Sequence, residues 1–147
     1  DLLIRLLTDL REDLARGEFH GKPILIFLGD YVDRGFQSKE VINVLLGDML
    51  SPFETYFLKG NHEAAMLQFL SDPAIGPRWA EYGGAETLVS YGVQPPRTRT
   101  SLEEWQQASD ELPAIRPFDI DLAMERLRAA VRPEWPVLVE ALQEVLW

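Results

Sequence analysis

The chain has 147 residues, of which 46% are apolar and 26% charged, the composition of about one globular domain. It contains no cysteine, which excludes a disulfide scaffold, a thiolate metal site and a cysteine nucleophile. A net charge of −10 opposes contact with nucleic-acid phosphates and anionic lipids, so we expect no nucleic-acid partner and no membrane partner. The acidic, cysteine-free composition favours a cytoplasmic location.

The first predicted element is an amphipathic helix over residues 2–16, which Gly17 is expected to end. Its apolar stripe consists of Leu3, Leu7, Leu10 and Leu14, widened by Leu2 and Leu6. The chain begins with Asp1 inside this pattern and ends on an apolar Val145-Leu146-Trp147. We therefore expect a fragment that is cut at both ends.

A strand–helix–strand unit is predicted next. Residues 24–28 form a continuous apolar run, typical of a strand buried on both faces, and residues 55–58 form a second strand. The intervening helix is predicted over residues 39–50, with Ser38 as its N-cap. Its inward side chains are expected to be Val41, Ile42, Leu45, Leu46 and Met49. Units of this kind place their strands parallel and usually adjacent, which indicates an α/β fold.

The remainder is predicted to be helical. Helices are expected over residues 64–70, in two short pieces over 78–91, and from the capping box of Ser101 and Glu104 to about residue 112. Further helical patterns cover 120–131 and 133–147. We interpret the whole chain as a single partial domain, with a catalytic-core part over residues 1–92 and a helical insertion or cap over 93–147.

Two polar turns follow the two strands, Gly29-Asp30-Tyr31-Val32-Asp33-Arg34-Gly35 and Gly60-Asn61-His62-Glu63. Ligands of open α/β sheets bind beyond the carboxyl ends of the strands, so both turns are expected at one edge. Their oxygen and imidazole groups suit Mn, Fe, Zn or Mg. A guanidinium such as that of Arg34 binds phosphate oxygens, and His62 can protonate a leaving group while Asp33 orients it.

GDYVDRG and LKGNHE on consecutive strands resemble the calcineurin-like metallophosphoesterases. The most similar branch is that of the serine/threonine protein phosphatases (PPP-type) in its bacterial form. The stretch Trp79…Tyr82-Gly83-Gly84…Thr87-Leu88-Val89-Ser90-Tyr91-Gly92 resembles one that follows GNHE in bacterial members. The resemblance implies part of a metallophosphoesterase β-sheet sandwich. It also implies hydrolysis of phosphate monoesters by a hydroxide activated by two divalent metal ions, with Mn favoured.

The same resemblance implies a role for each motif residue. Asp30 would be a metal-bridging carboxylate and Asn61 a ligand of one metal only. His62 would be the general acid or a phosphate contact, with Asp33 as its partner. Arg34 would bind the phosphoryl group of a phosphorylated protein or a small phosphoester.

Other polar and aromatic side chains are expected to have structural roles. Glu63 would be structural, or would contact the metal ligands rather than the metal. His20 precedes a strand at the wrong edge and is expected to be solvated. The aromatic residues are expected in the core or at subunit contacts; these are Trp79, Tyr82, Trp105, Trp135 and Trp147. The sequence predicts no particular oligomeric state.

The chain departs from the family pattern in two places. The GDxHG motif is absent, and no histidine follows His62, so the later histidine ligands are absent as well. One anionic and one neutral ligand cannot hold two dications well. We therefore expect weak metal binding and weak or no activity from this chain.

Three functions stay open. The first is a phosphoprotein serine/threonine phosphatase, the second a dinucleoside polyphosphate hydrolase, and the third a degenerate binding module without catalysis. Diadenosine tetraphosphatases are similar but tend to have a different residue at the position of Asp33 and GNHD in place of GNHE. Asp33 and Glu63 therefore favour the first function.

Overall fold

A computed structural model describes residues 2–17 and 21–112 of the chain. In chain order the elements are α1 (Leu2–Arg16), β1 (Ile24–Phe27), α2 (Ser38–Leu46), a 3-10 turn (Asp48–Leu50), β2 (Glu54–Phe57), α3 (Asn61–Ser71), a second 3-10 turn (Pro73–Ile75), α4 (Gly76–Trp79), a π-helical turn (Ala80–Gly84), α5 (Ala85–Ser90) and α6 (Leu102–Glu111). The predictions for His20, Trp135, Trp147 and the helical patterns at 120–131 and 133–147 lie outside the described residues. No described helix is long and apolar enough to cross a bilayer.

The two strands pair in parallel, with Ile24 opposite Glu54 and Phe27 opposite Phe57. This pairing confirms the predicted strand–helix–strand unit and the mixed α/β fold class. The rings of Phe27 and Phe57 stack at 5.0 Å between centroids, which reinforces the carboxyl ends of the strands. Both polar turns emerge from those ends.

The prediction that β1 is buried on both faces is wrong for the described part of the chain. Ile24 is half exposed, and Leu28, just beyond the strand, is 75% exposed. Across the described residues β2 is the one strand beside β1, so the other edge of β1 has no partner there. The apolar run correctly indicated a strand, whereas burial depends on neighbours that the run does not specify.

Helix α1 shows the predicted narrow stripe but not its widening. Leu7 is fully buried, whereas Leu2 and Leu6 are exposed. The guanidinium of Arg11 donates to the backbone carbonyl of Met49 at 3.0 Å. This contact fixes α1 against the chain that follows α2.

Helix α2 is shorter than predicted. It ends at Leu46 because Gly47 adopts an extended ψ of −179°, and Asp48–Leu50 continues as a 3-10 turn. Ile42 and Leu45 are buried as expected, but Leu46 is 68% exposed at the helix end. The predicted N-cap is also wrong: Ser38 is the first helical residue, and its hydroxyl contacts the first polar turn instead.

One hydrophobic cluster joins the turns to the helices. Its buried members are Val32, Ile42, Met66, Phe69, Trp79, Leu88, Val93, Trp105, Ala108 and Leu112. Phe69 lies at its centre, stacked on Trp79 at 4.7 Å and edge-on to Trp105 at 6.0 Å. Residues 93–112 therefore pack within the same core as the preceding chain; the insertion or cap role of 93–147 stays a prediction.

The helical prediction for residues 78–91 is confirmed, with the change of direction at Gly83, whose φ is +107°. Helix α6 begins after Ser101 as predicted, and half of the predicted capping box is present: the Ser101 hydroxyl accepts from the Glu104 N–H at 3.3 Å. The Glu104 carboxylate accepts from the backbone N–H groups of Arg97 and Thr98. It thereby holds the preceding loop against the helix.

Candidate active site

The two polar turns meet at two glycines. A Cβ on Gly29 would lie 2.4 Å from the Gly60 nitrogen, and a Cβ on Gly60 would lie 2.2 Å from Asp30 Oδ1. The positive φ of Gly29, +105°, is also one that side chains rarely allow. Only glycine at both positions lets the backbones approach this closely. The predicted convergence of the turns at one sheet edge is therefore present.

Glu63 links the turns through its buried carboxylate. Oε2 accepts from the N–H groups of Asp30 at 2.8 Å and Gly60 at 2.9 Å. Oε1 accepts from Tyr31 at 2.7 Å and Val32 at 3.3 Å. Four backbone donors satisfy one buried charge, so Glu63 holds the first turn against the start of α3.

Helix α3 begins at Asn61, three residues earlier than predicted, because Glu63 caps the backbone of Gly60. Asn61 and His62 therefore lie in the first helical turn rather than in a loop. The Asp30 carboxylate faces this turn, where Oδ1 accepts from the His62 N–H at 3.5 Å. Its negative charge lies near the positive end of the helix dipole.

Three residues of the first turn have left-handed backbones, Asp30 at φ 59°, Asp33 at 73° and Arg34 at 59°. Such conformations cost about 1–3 kcal/mol each and persist only where surrounding contacts fix them. Glu63 fixes Asp30, as described above. A Cβ on Gly83 would lie 2.3 Å from the Arg34 nitrogen, so the π-helical turn packs directly on the Arg34 backbone.

Asp33 and His62 form a buried pair. His62 Nδ1 lies 2.8 Å from Asp33 Oδ2, and the exposed fractions of the two side chains are 5% and 0%. The same Oδ2 accepts from Trp79 Nε1 at 3.0 Å, and Oδ1 accepts from the Thr87 hydroxyl at 2.7 Å. Three side-chain donors therefore surround the Asp33 carboxylate.

Arg34 is exposed and has no ion pair or hydrogen bond among the residues that the structure describes. Its guanidinium is thus available to an anion from solution. Beside His62 a pocket of about 490 Å³ opens. Its lining includes Asn61, His62, Gln68, Arg78, Trp79 and Tyr82.

The ligands for metal are incomplete in the described residues. No three histidine, aspartate or glutamate side chains lie together there in an arrangement that could hold a cation. The exposed Asp30 carboxylate and Asn61 amide provide one anionic and one neutral oxygen ligand. These suit a single hard cation, whereas two dications need more negative ligands. The described residues do not fit a complete dinuclear centre.

Tyr31 connects the strand ends beneath the site. Its hydroxyl lies 2.7 Å from the Leu58 carbonyl and 3.1 Å from the Phe27 carbonyl. Burial, followed by the negative charge of Glu63, raises the pKa of the Tyr31 phenol well above its ordinary value. Tyr31 is therefore a neutral structural group near neutral pH.

The sequence predictions missed the polar roles of Trp79 and Thr87. Trp79 is buried as expected of a core residue, but its indole N–H also reaches the site. Thr87 is fully buried, and its hydroxyl accepts from the Asp33 N–H at 2.9 Å. The sequence contained one signal for Thr87: its hydroxyl directly precedes the apolar pair Leu88-Val89, within the stretch that resembles bacterial phosphatases.

These features define an α/β protein that gathers carboxylate, amide, imidazole and guanidinium groups at the ends of two parallel strands. The chain matches the calcineurin-like phosphoesterase family over residues 1–123 and belongs to that family. This family comprises hydrolases that cleave phosphoesters with metal ions, typically two. No solved structure matches the chain significantly.

Proposed function

We propose that this chain carries the phosphoryl-binding part of a metal-dependent phosphomonoesterase of the serine/threonine protein phosphatase type. The observation that carries the proposal is the buried Asp33–His62 hydrogen bond, next to Arg34, whose guanidinium has no ion pair among the described residues. A fixed imidazole can protonate the oxygen of the leaving group, and a guanidinium can bind the oxygens of the phosphoryl group.

Each residue has a distinct task. Arg34 binds phosphoryl oxygens through its planar guanidinium. The Asp33 carboxylate accepts a hydrogen bond from the Nδ1–H of His62. The second proton of a protonated imidazole is then on Nε2, from which it passes to the leaving-group oxygen. Asp30 and Asn61 are oxygen ligands for a divalent cation, with Mn²⁺ favoured. Turnover is expected to be slow because these ligands are too few for two ions.

The substrate is a phosphorylated protein or a small phosphoester. The pocket beside His62 has room for an amino-acid side chain, and Arg78 and Tyr82 supply a charge and a ring in its wall. Asp33 and Glu63 at their motif positions support the protein-phosphatase branch over a dinucleotide hydrolase. In particular, Glu63 uses its full length to reach four N–H groups, and an aspartate is one methylene shorter.

The test compares two substrates on the same chain in the presence of Mn²⁺. Phosphate release from a phosphoserine peptide is measured against ADP release from diadenosine tetraphosphate, and phosphate binding is followed by titration calorimetry. Arg34→Gln removes the proposed phosphoryl contact. Arg5→Gln, an exposed position on α1, is the matched control.

We expect slow phosphate release that Arg34→Gln lowers by about tenfold or more, the effect of losing a charge-assisted contact, while Arg5→Gln changes little. Faster release of ADP would overturn the proposal in favour of a dinucleotide hydrolase. If neither product forms and phosphate does not bind, the proposal is overturned and the hypothesis of a degenerate module without catalysis is favoured. Rapid turnover would contradict the expectation from the incomplete ligands.

A further inference from the structure

The Asp33 carboxylate is held from three directions inside the protein. His62 Nδ1 and Trp79 Nε1 share Oδ2, at 2.8 and 3.0 Å, and the Thr87 hydroxyl lies 2.7 Å from Oδ1. Thr87 also accepts from the backbone N–H of Asp33, and Ser38 Oγ lies 3.1 Å from Thr87 Oγ1. These contacts fix both the side chain and the left-handed backbone of Asp33.

The arrangement selects one tautomer of His62. A carboxylate only accepts hydrogen bonds, so the imidazole proton must be on Nδ1. A neutral imidazole in water carries its proton mainly on Nε2, and the partner of the other nitrogen decides which form a protein contains. The Asp33 contact therefore reverses the preference of the free side chain and leaves Nε2 as an acceptor.

The two other donors are themselves immobile. Trp79 stacks on Phe69 at 4.7 Å, and a Cβ on Gly84 would lie 2.3 Å from the indole ring. Thr87 is fully buried in α5. Neither side chain can turn away from Asp33 without disturbing the core, so both are rigid supports for the carboxylate.

We propose that Trp79 and Thr87 are positioning residues for His62, which act by holding Asp33 in the orientation that keeps the imidazole proton on Nδ1. The importance of this tautomer for phosphoester cleavage rests on the proposed function. The tautomer itself does not, because the chain contains it whether or not a phosphoester is cleaved.

The experiment measures the tautomer of His62 directly, by long-range ¹H–¹⁵N correlation of the imidazole rings in the intact chain at a pH where the ring is neutral. The chain has two histidines, His20 and His62, and His62→Gln assigns the signals. Trp79→Phe keeps an aromatic ring against Phe69 but removes the N–H donor. Thr87→Val keeps the shape and removes the hydroxyl, and Thr87→Ser restores it.

Trp105→Phe is the matched control. Trp105 is buried in the same cluster, but its indole nitrogen has no hydrogen-bond partner among the described residues. The same substitution there removes a similar volume from the core without removing a bond to Asp33. A purely structural effect of losing an indole would therefore appear in this variant as well.

We expect His62 to be mainly the Nδ1–H form in the unmodified chain. Trp79→Phe and Thr87→Val should each shift the tautomer ratio toward Nε2–H by about threefold to tenfold, as the loss of one hydrogen bond predicts. Thr87→Ser should restore the ratio, and Trp105→Phe should leave it unchanged. A His62 that is mainly Nε2–H in the unmodified chain would overturn the proposal.

The proposal would also be wrong if Trp79→Phe and Thr87→Val left the ratio unchanged, or if Trp105→Phe moved it equally. The amide spectrum reports whether each variant folds. If Thr87→Val does not fold, Trp79→Phe still decides the question. Absence of phosphoesterase activity would defeat the proposed function without altering these spectra, so the two proposals fail separately.

Discussion

Glu63 is the residue whose single substitution tests how the turns are held together. Its two carboxylate oxygens accept from four backbone N–H groups, those of Asp30, Tyr31, Val32 and Gly60. In Glu63→Gln one oxygen becomes an NH₂ group, which donates and cannot accept. We expect a loss of about 2–4 kcal/mol in the free energy of unfolding, measured by urea denaturation.

The control for this prediction is Glu81→Gln. Glu81 pairs with Arg99 at the surface, where both side chains are at least half exposed, and such pairs contribute about 1 kcal/mol or less. The charge removed is the same in both variants. Equal losses of stability would show that Glu63 acts only through its charge, against the role assigned to it here.

The residue types of the site could be predicted from the sequence, and part of the geometry could as well. Parallel strands bring their carboxyl ends together, so the proximity of Asp30 and His62 follows from the strand prediction. The donors to Asp33 could not be found in this way. Trp79 and Thr87 come from a later segment, and the close contact of Gly83 with Arg34 that brings this segment to the site is a tertiary effect.

At the scale of elements, the pair of strands is joined by Tyr31 as well as by its own hydrogen bonds. The Tyr31 phenol lies between the Phe27 and Leu58 carbonyls, and burial raises its pKa far above the ordinary value of about 10. The folded chain therefore holds this proton more tightly than the unfolded chain does. The stability linked to Tyr31 is fully present below pH 10 and declines as the pH rises above it.

We predict that the free energy of unfolding falls between about pH 10 and 11. In Tyr31→Phe this free energy should fall less steeply, because position 31 then has no phenol to ionise. The measurement is urea denaturation at a series of pH values. Burial, with a smaller contribution from Glu40, also raises the pKa of Tyr91, so some decline will persist in the variant. If the free energy of unfolding falls equally steeply in the unmodified chain and in Tyr31→Phe, ionisation of Tyr31 does not cause the decline.

The existence of most described elements could be predicted, whereas several boundaries could not. Apolar periodicity located α1, α2 and both strands. The early start of α3 depends on Glu63, whose carboxylate accepts from the Gly60 N–H three residues earlier, a contact that apolar periodicity does not report. The early end of α2 follows from the extended backbone of Gly47. The spacing of apolar residues continues past this glycine and therefore does not indicate the end of the helix.

At the scale of the whole molecule, stability and site geometry depend on the ring contacts of one aromatic residue, Phe69. Phe69 is fully buried between Trp79 and Trp105 in the cluster that joins α3 to α6. Phe69→Ala should cost about 3–5 kcal/mol, a large part of the stability of an ordinary domain. Thermal unfolding should show a marked decrease in the midpoint.

Phe36→Ala is the corresponding control. Phe36 follows the first polar turn and is 66% exposed, so its loss should change stability by only about 0.5 kcal/mol. A comparable decrease in both variants would mean that the aromatic cluster does not dominate the core. The Phe69 variant should also disturb the Trp79 contact with Asp33, because the stacked ring that orients the indole is gone.

The left-handed backbones of Asp30, Asp33 and Arg34 have a practical consequence for anyone who engineers this protein. Glycine occupies such conformations without steric penalty, so its introduction at Asp30 or Arg34, whose side chains are exposed, would relieve backbone strain while deleting a carboxylate or a guanidinium. Asp33 differs, because its buried carboxylate accepts from three side chains that would lose their partner. A library ranked by melting temperature alone would enrich the replacements at Asp30 and Arg34. The more thermostable variants obtained in that way would lack side chains that the proposed chemistry requires.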